Sequence, residues 1–138
     1  MVIQKKIHMR RLLRNIGVKT MADSNRLKLG EFGIVCTEAG LVTRNQKEAV
    51  RKLLARRLKP LNGRYWLHVT YFVWVTKKSK SSRMGKGRGA FLEEKAPLKK
   101  GNLICEFLGL DEKPARELHK LISKKLPVQT TIISNVVD

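Results

Sequence analysis

The side chains in this sequence best suited to chemistry are cations that attract phosphate. They crowd into one stretch, Lys77-Lys78-Ser79-Lys80-Ser81-Ser82-Arg83-Met84-Gly85-Lys86-Gly87-Arg88-Gly89. Six basic side chains stand here with no acid, and Met84 is the one sizeable apolar residue. Gly85, Gly87 and Gly89 alternate with Lys86 and Arg88, so the backbone is free to take positive φ and to lie close against another surface. Lys77, Lys78, Lys80, Arg83, Lys86 and Arg88 supply the charge that a nucleic-acid backbone attracts. The stretch reads as a cationic finger for an anionic partner, against the plainer reading of a solvated linker. Its small apolar surface cannot offset the entropy of ordering, so it is expected to order on its partner.

Other chemistry is thinly represented. His8, His68 and His119 have no partners at metal-ligand spacing, and His68 reads as a packed or partly exposed strand residue. No pair of carboxylates in an apolar setting suggests acid–base work, and no Ser/His/Asp set stands out. The Gly-x-Gly-x-Gly run lacks the spacing of a dinucleotide fingerprint and the Lys-Ser/Thr ending of a phosphate-binding loop. No enzyme activity and no cofactor are expected. Cys36 and Cys105, far apart and without CxxC spacing, read as reduced core residues.

The composition agrees with a polyanion as partner. Lys plus Arg number 30 against 11 acids, a formal charge of +19 in 138 residues. Such an excess is self-repulsive until neutralised, with nucleic acid the leading partner and a membrane surface second. No apolar run approaches the roughly 20 residues that span a bilayer, so no membrane segment is expected. With 42% apolar residues the chain has material for one core.

Residues 1–26 form a basic arm that includes Arg10, Arg11 and Arg14 and has no acid before Asp23. It reads either as an arm along RNA or as an organellar import signal, and the lack of serine before Ser24 favours the arm. Residues 27–138 read as a single domain. Leu27 to Cys36 suggests a strand with a bend or bulge at Gly30 and Gly33, and Glu38-Ala39-Gly40 a turn. Thr43 and Gln46 form a capping box that opens a helix ended near Pro60. Ala49, Val50, Leu53 and Leu54 are its inward stripe. Arg44, Lys47, Arg51, Lys52 and Arg56 are placed on the opposite, RNA-facing side.

Tyr65 to Val75 reads as one long strand covered on both faces, with Trp66 and Trp74 packed in the core rather than free to stack on bases. After the finger come a short segment at Ala90 to Glu94, a turn at Lys99-Lys100-Gly101 and a strand from Asn102 to Leu108. Asp111 caps a second helix with Ala115, Leu118, Leu121, Ile122 and Leu126 on one side. Val128 to Val137 closes the chain as a strand. The expected fold is α+β: a compact sandwich of a mixed or antiparallel sheet with two helices, carrying a long basic Gly-rich loop at 77–89 and the basic N-terminal arm.

Arg83-Met84-Gly85-Lys86-Gly87-Arg88-Gly89 resembles the signature of the universal large-subunit ribosomal protein family numbered sixteen in bacteria. Gly30-x-Phe32-Gly33, Thr43-x-x-Gln46-x-Glu48-Ala49-x-Arg51 and Gly63-x-x-Trp66 are similar to further blocks of that family. So are Ala115-Arg116-Glu117, Lys125-Leu126-Pro127 and Thr130-Thr131, so the resemblance spans roughly residues 27–135. It implies a structural protein on large-subunit rRNA near the peptidyl transferase centre, beside neighbouring ribosomal proteins, with the loop toward the tRNA acceptor arm. Arg83, Lys86 and Arg88 would be its RNA-contacting cations. Family members usually carry proline between the tryptophan strand and the loop, whereas Tyr71 to Ser82 is aromatic and then Lys/Ser-rich. That drift points to a mitochondrial ribosome, with the bacterial cytoplasm as alternative. A free-standing RNA- or DNA-binding module is the competing function.

Overall fold

Thr43 and Gln46 start the first helix as their spacing predicts. Thr43 Oγ1 accepts the Gln46 N–H at 3.2 Å, and Gln46 Oε1 accepts the Thr43 N–H at 2.9 Å, so two otherwise unpaired amides are satisfied reciprocally. The computed structural model describes residues 27–69, 72–85, 87 and 89–135. The predicted arm at 1–26, with Arg10, Arg11 and Arg14, lies outside the described residues, as do Lys86 and Arg88.

The described chain runs β1 (Phe32–Cys36), β2 (Gly40–Thr43), α1 (Arg44–Leu58), a 3-10 turn at Lys59–Leu61, β3 (Arg64–Leu67) and β4 (Val73–Lys77). It continues through β5 (Ala90–Leu98), β6 (Leu103–Leu108), α2 (Glu112–Ser123) and β7 (Thr130–Ser134). The α+β expectation holds, but the strands form two sheets, ordered β3-β6-β1-β7 and β2-β5-β4. Each of these strand pairings is antiparallel. Val42, Ala96 and Leu98 of the smaller sheet share one core with Phe32, Ile34, Ile104 and Phe107 of the larger, together with both helices. Cys36 and Cys105 are free, buried thiols in that core, as expected; burial pushes the Cys105 thiol up to about 12.

The single strand read at Tyr65 to Val75 is two strands of different sheets. His68 N–H donates to Ile104 O at 2.9 Å, the last rung against β6, and Val73 begins the ladder against Lys95 of β5. Val69 and Phe72, between the two, are buried in the shared core. The run is apolar because it crosses the core from one sheet to the other. Nor does Gly33 bend β1: it pairs with Glu106 and Ile133, and the irregularity falls at Ile34/Val35. A Cβ at Gly33 would overlap the Leu27 side chain and come within 3.0 Å of Leu103 Cδ1, so close packing explains the glycine. β5 is longer than the segment read at Ala90 to Glu94, and β7 shorter than Val128 to Val137. Asp111 occupies the N-cap of α2 without a side-chain capping bond.

The buried stripe of α1 is Val50, Leu54 and Leu58, with Ala49 and Leu53 only half-buried. The helix is thus rotated relative to the sequence reading, and Lys47 and Arg51 border the stripe rather than oppose it. Leu54 is fully buried, so Leu54→Ala should cost about 2–5 kcal/mol. Exposed Lys52→Ala should stay within about 0.5 kcal/mol. Urea unfolding of both variants checks the assignment, and equal losses would contradict it.

Candidate nucleic-acid interface

β4 and β5 form the hairpin that carries the basic loop, and Lys77 opposite Ala90 is its last pair. Just beyond, Gly89 passes so close to the other limb that a Cβ would lie 2.5 Å from the Lys77 carbonyl carbon and 2.6 Å from Lys78 N. Gly89 therefore closes a neck. Gly85 and Gly87 serve another purpose: their φ values are 97° and 81°, and a Cβ on either would meet nothing within 4 Å. It is the left-handed backbone, not crowding, that calls for glycine at these two positions. Lys78 Nζ donates to Gly85 O across the loop, and Ser82 N–H donates to Ser79 O at 3.1 Å. The loop encloses an open hollow of about 870 Å³ lined in part by Lys77, Lys78, Arg83 and Met84. Lys77, Lys78, Lys80, Arg83 and Met84 are all exposed.

Arg44, Lys47 and Arg51 are arranged differently from the loop cations. Arg44 pairs with Glu94 of β5, and its guanidinium lies 4.3 Å from the centre of the Phe72 ring; Lys47 Nζ lies 5.4 Å from the same ring. This cluster ties α1 to the hairpin that bears the loop. Arg51 Nε donates to Glu48 Oε1 at 2.8 Å, and that bond holds the Glu48 carboxyl below its ordinary value. Arg44 and Arg51 thus already have carboxylate partners, whereas no carboxylate lies within ion-pair distance of Lys77, Lys80 or Arg83 among the described residues.

Two features escaped the sequence reading. Trp74 is exposed, not core, and its ring meets exposed Phe91 edge-to-face with centroids 5.4 Å apart. The other is Glu106, a fully buried carboxylate in β6. Its Oε2 accepts the N–H groups of Lys28, Leu29 and Gly30 at 3.1, 2.7 and 2.7 Å. Its Oε1 accepts His68 Nε2 at 2.9 Å. Burial alone would raise this carboxyl. The three N–H groups and the imidazole outweigh burial and hold it below its ordinary value. Glu106 thereby fastens residues 28–30 to the larger sheet.

A cationic loop on a hairpin, braced by a cation-rich helix, makes this an α+β protein with an exposed basic surface. The chain matches the family described as Ribosomal protein L16p/L10e over residues 4–133, and it belongs to that family. It is 36% identical over 124 residues to the large ribosomal subunit protein uL16 of Polaromonas naphthalenivorans (strain CJ2), covering 90% of this chain and 88% of that one. It is 35% identical over 133 residues to the protein of the same description from Borreliella afzelii (strain PKo), covering 96% of each. The match runs from residue 4 to residue 133, so the family likeness takes in most of the basic arm as well as nearly all of the 27–135 region. The chain is accordingly a structural protein of the ribosome and not an enzyme. Among the described residues, no helix is long and apolar enough to cross a membrane.

Proposed function

We propose that this protein, a constituent of the large ribosomal subunit, binds large-subunit rRNA near the peptidyl transferase centre and holds loop 77–89 toward the tRNA acceptor end. The observation that carries the reading is the loop itself, an acid-free set of exposed cations presented beyond the neck at Lys77 and Gly89. Family membership supplies the ribosomal setting. Lys77, Lys78, Lys80, Arg83, Lys86 and Arg88 neutralise phosphate, while Gly85, Gly87 and Gly89 shape the backbone around Met84. Arg44, Lys47 and Arg51 add a second basic surface at α1, and Arg10, Arg11 and Arg14 a third from the arm. Neighbouring ribosomal proteins complete its surroundings. The drift at residues 71–82 supports an organellar, mitochondrial ribosome. Recovery of the chain in cytoplasmic subunits alone would overturn that assignment.

Sedimentation separates this reading from a free-standing RNA- or DNA-binding module: the chain should travel with the large subunit, and a slowly sedimenting free pool would favour the module. Salt titration tests the surfaces. Lys80→Ala or Arg83→Ala should lower the slope of log binding against log salt by about 0.7–0.9 for each phosphate no longer neutralised. Arg44→Ala and Arg51→Ala should lower it less, because Glu94 and Glu48 already hold those guanidiniums. Larger effects from the helix pair would reverse this order of surfaces.

A further inference from the structure

We propose that Trp74 and Phe91 form a stacking platform for unpaired nucleobases of the RNA strand whose phosphates engage the basic loop, an inference that rests on the RNA-binding reading above. Trp74 is 37% and Phe91 55% exposed, two large apolar side chains in adjacent paired strands that touch each other at the surface. The rings meet at 65°, and an edge-to-face pair leaves ring faces uncovered by its own contact. Among the described residues β4 is an edge strand, and none of their strands pairs with it on that side.

Charge decides what the occupant is. β4 runs from Trp74 straight into Lys77 and Lys78, so a strand bound to the loop would pass the rings with its phosphates on cations. The carboxylates nearest in sequence do not oppose this, because Glu93 pairs with Lys95 at 3.2 Å and Glu94 with Arg44. A protein partner would need carboxylates placed beside Lys77 and Lys78 as well as an apolar contact for the rings, whereas single-stranded RNA carries a phosphate at every nucleotide beside an unpaired base and so satisfies both halves of the surface. Duplex RNA keeps its base faces inside its own stack, so the platform should select unpaired segments.

The test uses the full chain with Trp66→Phe, which leaves Trp74 as its one tryptophan. Titration with a single-stranded oligoadenylate should quench Trp74 emission more than a duplex of equal length. Trp74→Ala and, independently, Phe91→Ala should weaken single-strand binding, followed by anisotropy of labelled RNA, by about 5- to 150-fold. Duplex affinity and the salt slope should remain unchanged. Phe91→Ala guards against a fold effect at Trp74, with unfolding curves measured for both. Unquenched emission, or equal losses on single strand and duplex, would overturn the platform while leaving RNA binding in place. Failure of the unaltered chain to bind either RNA would overturn the RNA-binding reading itself.

Discussion

Glu106→Ala is expected to destabilise the chain by about 2–4 kcal/mol, a large share of a small domain's stability. The carboxylate accepts four hydrogen bonds, three of them from consecutive backbone amides at residues 28–30. Removing it leaves those donors to partial hydration and opens space beside the core. Glu106→Gln preserves the volume and one acceptor oxygen but not the charge, so about 1–3 kcal/mol should be lost. The pH dependence has a definite sign. The folded carboxyl sits below its ordinary value of 4.5, so its contribution is complete above that value. It is lost as pH falls through the folded value, because the unfolded chain takes up the proton first. Urea unfolding from about pH 7 down to about pH 3 should therefore show a steeper acid decline in the parent than in Glu106→Gln. Parallel curves would assign the acid sensitivity to other groups.

The second large effect is expected at the loop tip. Valine at 85 or 87 would be forced into the φ region near 97° or 81°, at about 1–3 kcal/mol per site. The space there is open, so the body of the protein should not register the change: core stability and subunit incorporation stay close to the parent values. The backbone of the tip would leave its left-handed path, and the loop geometry proposed above to meet RNA would go with it. On purified large subunits carrying Gly85→Val or Gly87→Val, tRNA occupancy and peptide-bond rate should fall by about 5- to 150-fold, the ratio equivalent to that strain. Gly87→Asn should be milder, since asparagine tolerates positive φ. Lys86→Ala with Arg88→Ala removes charge instead of shape and should impair the same step. Parent-level values for both kinds of variant, with the altered protein present on the particle, would show that the tip is not the functional element.

Local signals in the sequence are legible, and long-range ones are not. Thr43 and Gln46 are three residues apart, so their capping box is visible in the chain itself. The α2 stripe of Ala115, Leu118 and Ile122 likewise follows from helical spacing, and all three are buried. The loop's composition is equally plain. Residues 65–75 mislead because a β-branched, aromatic run looks the same whether it remains in one sheet or crosses between two. Hydrophobicity assigns Trp74 to the core, but exposure depends on which strand forms the sheet edge. Glu106 leaves one trace, a lone acid in the apolar run Ile104-Cys105-Glu106-Phe107-Leu108. Its backbone partners lie 76 to 78 residues away in the chain, beyond any local pattern.

The neck at Lys77 and Gly89 bears on how such a chain can change over generations. Residues added or removed beyond it do not alter the register of the β4–β5 ladder, which is closed at Lys77 and Ala90. The tip can therefore vary in length and composition without disturbing the core on which folding depends. Gly89 has no such latitude, because any larger residue strikes the Lys77 backbone. Mutations should accumulate more readily at Ser79, Ser81 and Ser82 than at the neck, so that the end of the loop can change while the body keeps its shape.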